Sequence, residues 1–270
     1  MLDFFIFYKK MQKLAIITLM KNHSDLTMAM IDSIYANDDY NKDFIKIYIA
    51  DTGSSDIEKY VMKAYVSKAK MDVKYIEYNF YNFAKINNDV VANYVEKDTD
   101  LILLVNNDVQ LINNAIHKVI DTFNSTENVG TVGALLLYPN FKIQHGGIMH
   151  LKKKNHMFTH FFLKCNFLKG IFKGEHETAG NTGAFMLTSY NDWINIGGLN
   201  ESYKCCFEDV EYNLQMTKLN RRNVTCYDAI CFHKESSTRN GEISPIDVHR
   251  INKFATEMED NDLVRKTKTK

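Results

Sequence analysis

Four polar clusters in this chain carry residue types that do chemistry. They are Asp51 with Asp56, Asn106-Asn107-Asp108, Glu208-Asp209, and His233 with Glu235. The second is the most informative, because it ends the apolar run Leu101-Ile102-Leu103-Leu104-Val105. Such a run reads as a strand buried on both faces. In an open α/β sheet, ligands sit just beyond the carboxyl ends of the strands. A carboxylate there can hold a hard divalent cation together with the phosphates of a substrate. An acidic pair such as Glu208-Asp209 can supply a general base. A histidine beside a carboxylate can ligate a metal. Each cluster also has a plainer reading: an Asn/Asp turn, an acidic cap on a helix dipole, a histidine closing a strand.

The elements that must position these residues alternate in the first half. Lys13 to Leu19 and Ile45 to Ala50 read as strands, and Ser24 as the N-cap of a helix through Tyr35 whose stripe is Leu26, Met30, Ile31 and Ile34. A helix over about 57–68, a strand from Val73 to Tyr78 and a helix from about Ile86 to Val95 precede the central strand; a helix near 114–123 follows it. This β-α alternation predicts a mostly parallel, Rossmann-like sheet with helices on both faces, which puts loops 51–56 and 106–108 on one edge.

The second half is mixed. Strands are expected at 131–138, 143–148, 183–188 and 224–227, with Ile230 to His233 as a further segment. Short helices are expected from Ser189 to Ile196 and from Glu208 to Leu219. Between 151 and 177 lies a basic, aromatic stretch with Lys152, Lys153, Lys154, Phe158, Phe161, Phe162, Phe167 and Phe172. It reads either as a loop with aromatics packed under it or as a membrane-facing patch.

Composition narrows the class. Thirty-three basic residues balance thirty-three acidic ones, which argues against wholesale nucleic-acid binding. Five cysteines, an odd number without a C-x-x-C pair, point to reduced thiols in a cytosol, and away from a disulfide framework or structural zinc. The apolar opening, Met1 to Tyr8, is too short to span a bilayer. A cytoplasmic protein is expected, soluble or peripheral at the inner face of the cell membrane. Three segments are expected: an extension over 1–12, one domain over 13–240 whose halves meet at 125 and 126, and a polar tail over 241–270.

Order and spacing together bring in a resemblance. Ile49-Ala50-Asp51-Thr52-Gly53-Ser54-Ser55-Asp56 is similar to a V-D-N-G-S-x-D loop, Asn106-Asn107-Asp108 to a D-x-D metal element, and Glu208-Asp209 to an E-D base pair. Tyr81 to Asn88, Ile143-Gln144-His145-Gly146-Gly147, Thr182-Gly183-Ala184 and His233-Lys234-Glu235-Ser236 are similar to F-N-[FY]-S-x-x-N-N, I-Q-H-x-G, T-G-A and H-x-E-S signatures. From about Lys13 to Arg239 the chain resembles the family-2 inverting glycosyltransferases of the GT-A fold, within a bacterial branch that builds O-antigen and related surface polysaccharides, rhamnosyltransferases among them. It departs from that pattern in having Asn106 for the first Asp of D-x-D, no proline after the first strand, and the 151–177 stretch in place of a small Gly-rich loop and a histidine.

The resemblance implies a UDP- or dTDP-sugar donor, a glycan or lipid-linked glycan acceptor, and Mg²⁺ or Mn²⁺. Asp108 and His233 would hold the metal, with Glu235 orienting the imidazole. Asp209 would be the base, Glu208 its helper. Asp51 would accept the imide N–H of uracil or thymine, and Asp56, Lys85, Asn87 and Asn107 would complete the donor site. Two rivals share the fold: a nucleotidyltransferase, which would carry a Gly-rich basic loop where Leu19-Met20-Lys21-Asn22-His23 stands, and a binding protein that has lost its base.

Overall fold

The computed structural model describes residues 11–152, 156–235 and 244–259. The first half alternates as the sequence predicts: β1 (Leu14–Met20), α1 (Ser24–Asn37), β2 (Ile45–Asp51), α2 (Asp56–Val66), β3 (Asp72–Glu77), α3 (Phe83–Asn93) and β4 (Leu101–Val105). After β4 comes a strand the sequence reading did not separate, β5 (Val109–Asn113), and then α4 (Ala115–Ser125). The second half runs β6 (Val129–Leu137), β7 (Ile143–His145), β8 (Ile148–Lys152), β9 (His156–His160), β10 (Glu175–Glu177), β11 (Phe185–Ser189), α5 (Tyr190–Ile196), α6 (Glu208–Lys218), β12 (Arg222–His233) and α7 (Pro245–Glu259).

One sheet takes most strands in the order β10-β12-β6-β11-β4-β1-β2-β3, with β5 against β12 and β7 against β6. The β4-β1-β2-β3 part is parallel, and β11 enters antiparallel between β4 and β6. Period-two alternation splits β1 between two cores. Leu14, Ile16 and Met20 pack with α1 and α4 residues such as Met30, Ile34, Ile116 and Val119. Ala15 and Ile17 pack with Ala84, Ile86, Val90 and Val91 of α3. Burial on both faces is why these strands read as continuous apolar runs.

Three local expectations change. Ser24 is the first residue of α1, not its cap; the helix starts from His23 in the left-handed conformation (φ 51°), and the Ser24 N–H donates to Glu58 of α2 at 2.8 Å. The segments 224–227 and 230–233 form one twelve-residue strand, β12, with an irregularity between Cys226 and Ile230. The expected polar tail contains α7, whose Ile251, Ala255 and Met258 pack on Ile148, Val210 and Leu214. That i, i+4, i+7 stripe is narrow, and the charges around it hid the helix. Residues 1–10 of the expected extension and 260–270 of the tail lie outside the described residues, as do Lys153 and Lys154.

A buried amide network fixes α6 to the sheet. Asn213 on α6 accepts from the Thr131 hydroxyl (2.6 Å) and the Asn181 N–H (3.0 Å), and its amide donates to the Asn181 and Asp209 carbonyls at 2.8 and 2.7 Å. Asn181 and Asn213 are both 0% exposed. Buried polar groups stranded by losing a partner cost about 1–3 kcal/mol each. Asn213→Ala is therefore expected to lower unfolding stability by about 3 kcal/mol or more; a urea denaturation midpoint equal to the parent's would deny the network that role.

Candidate active site

The site grows from the loop after β4. Asp108 is buried (6% exposed), and its Oδ1 lies 3.1 Å from His233 Nε2. These residues are far apart in sequence, and pairing of β5 with the end of β12 closes the gap: His233 stands opposite Val109 in the register. The short strand after Asp108 is thus what returns the histidine to the ligand edge.

The imidazole is oriented by a chain of side chains. His233 Nδ1 is 2.5 Å from Gln144 Oε1, and Gln144 Nε2 donates to Glu235 at 3.2 Å. A carboxylate only accepts, so Glu235 fixes which end of the Gln144 amide faces it. Gln144 then presents its oxygen to His233, which places the proton on Nδ1. The Nε2 lone pair is left facing Asp108, with the Asn106 amide nitrogen at 3.3 Å. A ring nitrogen and a carboxylate oxygen 3.1 Å apart are a donor pair that a cation could take up between them. The residues present fit a divalent ion. Glu235 was expected to touch the ring; Gln144 stands between them. Tyr138 joins the outer end, where burial and the Glu235 carboxylate push its pKa up.

The second cluster is joined to the first through residues 183 and 184. Asp209 Oδ2 accepts the Gly183 N–H and its Oδ1 accepts the Val210 N–H, both at 2.8 Å. The next residue, Ala184, accepts the Asn106 N–H at 3.0 Å. Adjacent residues of the 182–184 turn therefore hold the acidic helix start and the Asn106-Asn107-Asp108 loop together. A Cβ on Gly183 would come 3.2 Å from Phe83 and 3.7 Å from the Asp209 Cβ, a close fit that favours glycine. Asp209 is partly exposed and Glu208 buried. The helix starts from Phe207 in the left-handed region (φ 74°).

Two histidines complete the wall. His145 Nδ1 lies 2.5 Å from His160 Nδ1, and His145 Nε2 accepts the Thr182 N–H at 3.5 Å. His160 on β9 was not singled out from the sequence; its basic, aromatic surroundings masked it. Burial lowers the pKa of both, against the upward pull of Asp209 and Glu235 on His160. The folded state holds fewer protons than the unfolded one just below pH 6.5, so stability is full above that pH and falls as the pH drops through it. The expected slope is up to about 1.4 kcal/mol per pH unit for one histidine. His145→Asn should flatten it in unfolding curves at about pH 5 and pH 7.5; an unchanged slope would assign the acid lability elsewhere.

The expected donor residues occupy varied settings. Asp51 is fully buried, its Oδ1 accepting the Gly53 and Ser54 N–H groups at 2.9 and 2.8 Å and its Oδ2 the Tyr75 hydroxyl. Asn22 ties this loop to the end of β1, accepting from Ser55 N at 2.9 Å and donating its own N–H to Ser54 at 2.7 Å. Asp56 stands exposed in the first turn of α2. Asn107 donates to Thr27 of α1 at 3.1 Å. Lys85 is exposed, its ammonium 5.4 Å from the Phe80 ring centre. Asn87 is 1% exposed and donates to the Phe83 carbonyl at 2.8 Å, while its Oδ1 is buried without a hydrogen-bond partner.

Similarity to known proteins agrees with this geometry at the level of fold. No protein-family model matches the chain. It is 24% identical over 248 residues to an uncharacterized protein, y4gI, of Sinorhizobium fredii, and 23% identical over 237 residues to the O-antigen biosynthesis protein RfbC of Myxococcus xanthus. Each alignment covers 86% of this chain, which spans only 25% and 18% of those relatives' lengths. Among solved structures, the mannosyltransferase PcManGT from Pyrobaculum calidifontis, in complex with GDP-Man and Mn²⁺, superposes with a TM-score of 0.62 at 13% identity, over 85% of this chain and 59% of that one. GalNAc-T7 with UDP, GalNAc and Mn²⁺ gives 0.69 at 9% identity, over 87% and 46%. TarS of S. aureus with UDP-GlcNAc gives 0.60 at 15%, over 89% and 64%. The chain has the GT-A glycosyltransferase fold.

Proposed function

We propose that this protein is an inverting glycosyltransferase. It moves a sugar from a UDP- or dTDP-sugar to a hydroxyl of a glycan or lipid-linked glycan acceptor, in surface polysaccharide synthesis. The observation that carries this reading is the 182–184 turn, which holds Asp209 through Gly183 and the Asp108 loop through Ala184. A donor diphosphate at Asp108 would then have a carboxylate near its sugar. Mn²⁺ or Mg²⁺ held by Asp108 and His233 would neutralise charge on the departing diphosphate. Solved neighbours contain Mn²⁺ with a nucleotide or nucleotide sugar, which supports a divalent metal.

Asp209 takes the proton of the acceptor hydroxyl as its oxygen bonds to the anomeric carbon, on the face opposite the leaving diphosphate. A carboxylate oxygen offers two lone pairs, and each Asp209 oxygen spends one on a backbone N–H, so one on each oxygen remains for the acceptor. One displacement inverts the centre and needs one base. The test is a screen of the purified chain against UDP-, dTDP- and GDP-sugars with Mg²⁺ or Mn²⁺, reading nucleotide diphosphate release. No turnover and no tight binding with any donor would end the enzyme reading.

For the base of the donor, Asp51 keeps a spare lone pair beside the Tyr75 hydroxyl. Asp51→Asn can retain the turn through its amide oxygen while replacing that acceptor by a donor. Affinity for UDP or dTDP is expected to fall by about 1.5–3 kcal/mol, the worth of a charge-assisted hydrogen bond. Calorimetric affinities equal to the parent's would leave Asp51 as a turn residue alone.

A further inference from the structure

The chain has no net charge, yet between Glu127 and Glu175 it contains seven lysines and neither Asp nor Glu. Its outer part, residues 141–142 and 162–173, is held together on one side of β6. The turn after β6 is zipped to residues 162–168: Ile143 N–H donates to Cys165 O (2.8 Å), Lys164 N–H to Ile143 O (2.7 Å) and Phe167 N–H to Phe141 O (3.0 Å). Beneath it, Phe167 and Phe172 pack on Leu135, Leu137, Ile143 and Tyr227. That part of the stretch matches the packed-loop expectation.

The outer side does not. Ile171 is 67% exposed, Phe141 60%, Leu168 55%, Phe162 43% and Leu163 39%. Lys142, Lys164, Lys169 and Lys173 are exposed among them. Large apolar side chains interleaved with lysines on one surface suit a partner that is anionic outside and hydrocarbon within. A soluble polyanion would use the lysines and leave Ile171 and Leu168 in water. A second copy of the chain would bring like charges face to face. Among the described residues no helix is long and apolar enough to cross a membrane.

We infer that the surface formed by residues 141–142 and 162–173 seats this protein on an anionic phospholipid bilayer, with lysines at the headgroups and Phe162, Leu168 and Ile171 entering the interface. Gln144, which orients His233, lies two residues from Lys142 in the chain, so this surface and the candidate site share the turn after β6. The inference does not depend on the transfer reaction, because binding is read without donor or acceptor.

The test is co-sedimentation of the full chain with vesicles of phosphatidylglycerol and phosphatidylcholine, and with phosphatidylcholine alone. Binding to the anionic vesicles is expected, weakening as salt rises. Each lysine neutralised should lower partitioning about fivefold, so the combined variant Lys164→Glu, Lys169→Glu, Lys173→Glu should lose about 10²-fold or more. Leu168→Ser with Ile171→Ser should lose about tenfold or more. All these side chains are exposed, and thermal melts check that the variants fold. Absent or salt-independent binding, equal binding to neutral vesicles, or unchanged partitioning of folded variants would each overturn the inference. So would an oligomer of the parent that the variants abolish without any vesicle binding.

Discussion

Asp209→Asn is expected to lose sugar transfer by about 10²–10⁴-fold, the usual cost of removing a positioned general base. Donor affinity should stay close to the parent's, because the base acts on the acceptor. The substitution suits the local structure. Asparagine keeps an oxygen for the Gly183 N–H, and the Asn213 bond goes to the Asp209 carbonyl, not its side chain. The helix should therefore stay in place, with the loss of proton acceptance accompanied only by that of the Val210 N–H acceptor. Single-turnover transfer with a saturating donor, alongside calorimetric donor binding, separates the two effects. Near-normal turnover would move the base elsewhere. Glu208 is the adjacent carboxylate, although its burial (4% exposed) sets it further from an entering acceptor. A parallel loss of donor binding would instead mean that Asp209 supports the fold of the site.

Much of the frame was legible because its signals are local. Leu101 to Val105 announces a strand buried on both faces, and the residues around Asp51 announce a turn before a helix. Both follow from side-chain type over a few positions. What stayed hidden depends on pairings between distant segments. Val109 to Asn113 is as long as β4 but broken by Gln110 and Asn113, so it does not declare itself a strand, and it pairs with β12. Gln144 sits inside a quoted motif, but its task of turning His233 requires three segments to converge. The sequence placed Glu235 beside the histidine by proximity alone, and folding put the amide between them. Asp51 could be located at a strand end, whereas its bonds to Gly53, Ser54 and Tyr75 could be read only from coordinates.

His233→Ala is expected to raise the metal concentration needed for half activity by at least about tenfold, since it removes one of the two protein atoms proposed to hold the ion. Asn106 sharpens this dependence. Where the related element has a second carboxylate this chain has an amide, so Asp108 is the anion of the loop and the imidazole supplies the next donor. Gln144→Leu gives an independent handle. It leaves both donor atoms present but removes the acceptor for Nδ1–H, freeing the ring to take the tautomer with its proton toward Asp108. Outer partners of this kind typically change metal affinity by about 10–100-fold. Both variants should therefore shift Mn²⁺ titrations in the same direction, followed by calorimetry with UDP as well as by activity. Leu at 144 also strands the buried Nδ1–H, so a matching loss of thermal stability accompanies it. If His233→Ala leaves the Mn²⁺ titration where the parent has it, the imidazole only closes β12, and Asp108 must find its partners in the donor and in water.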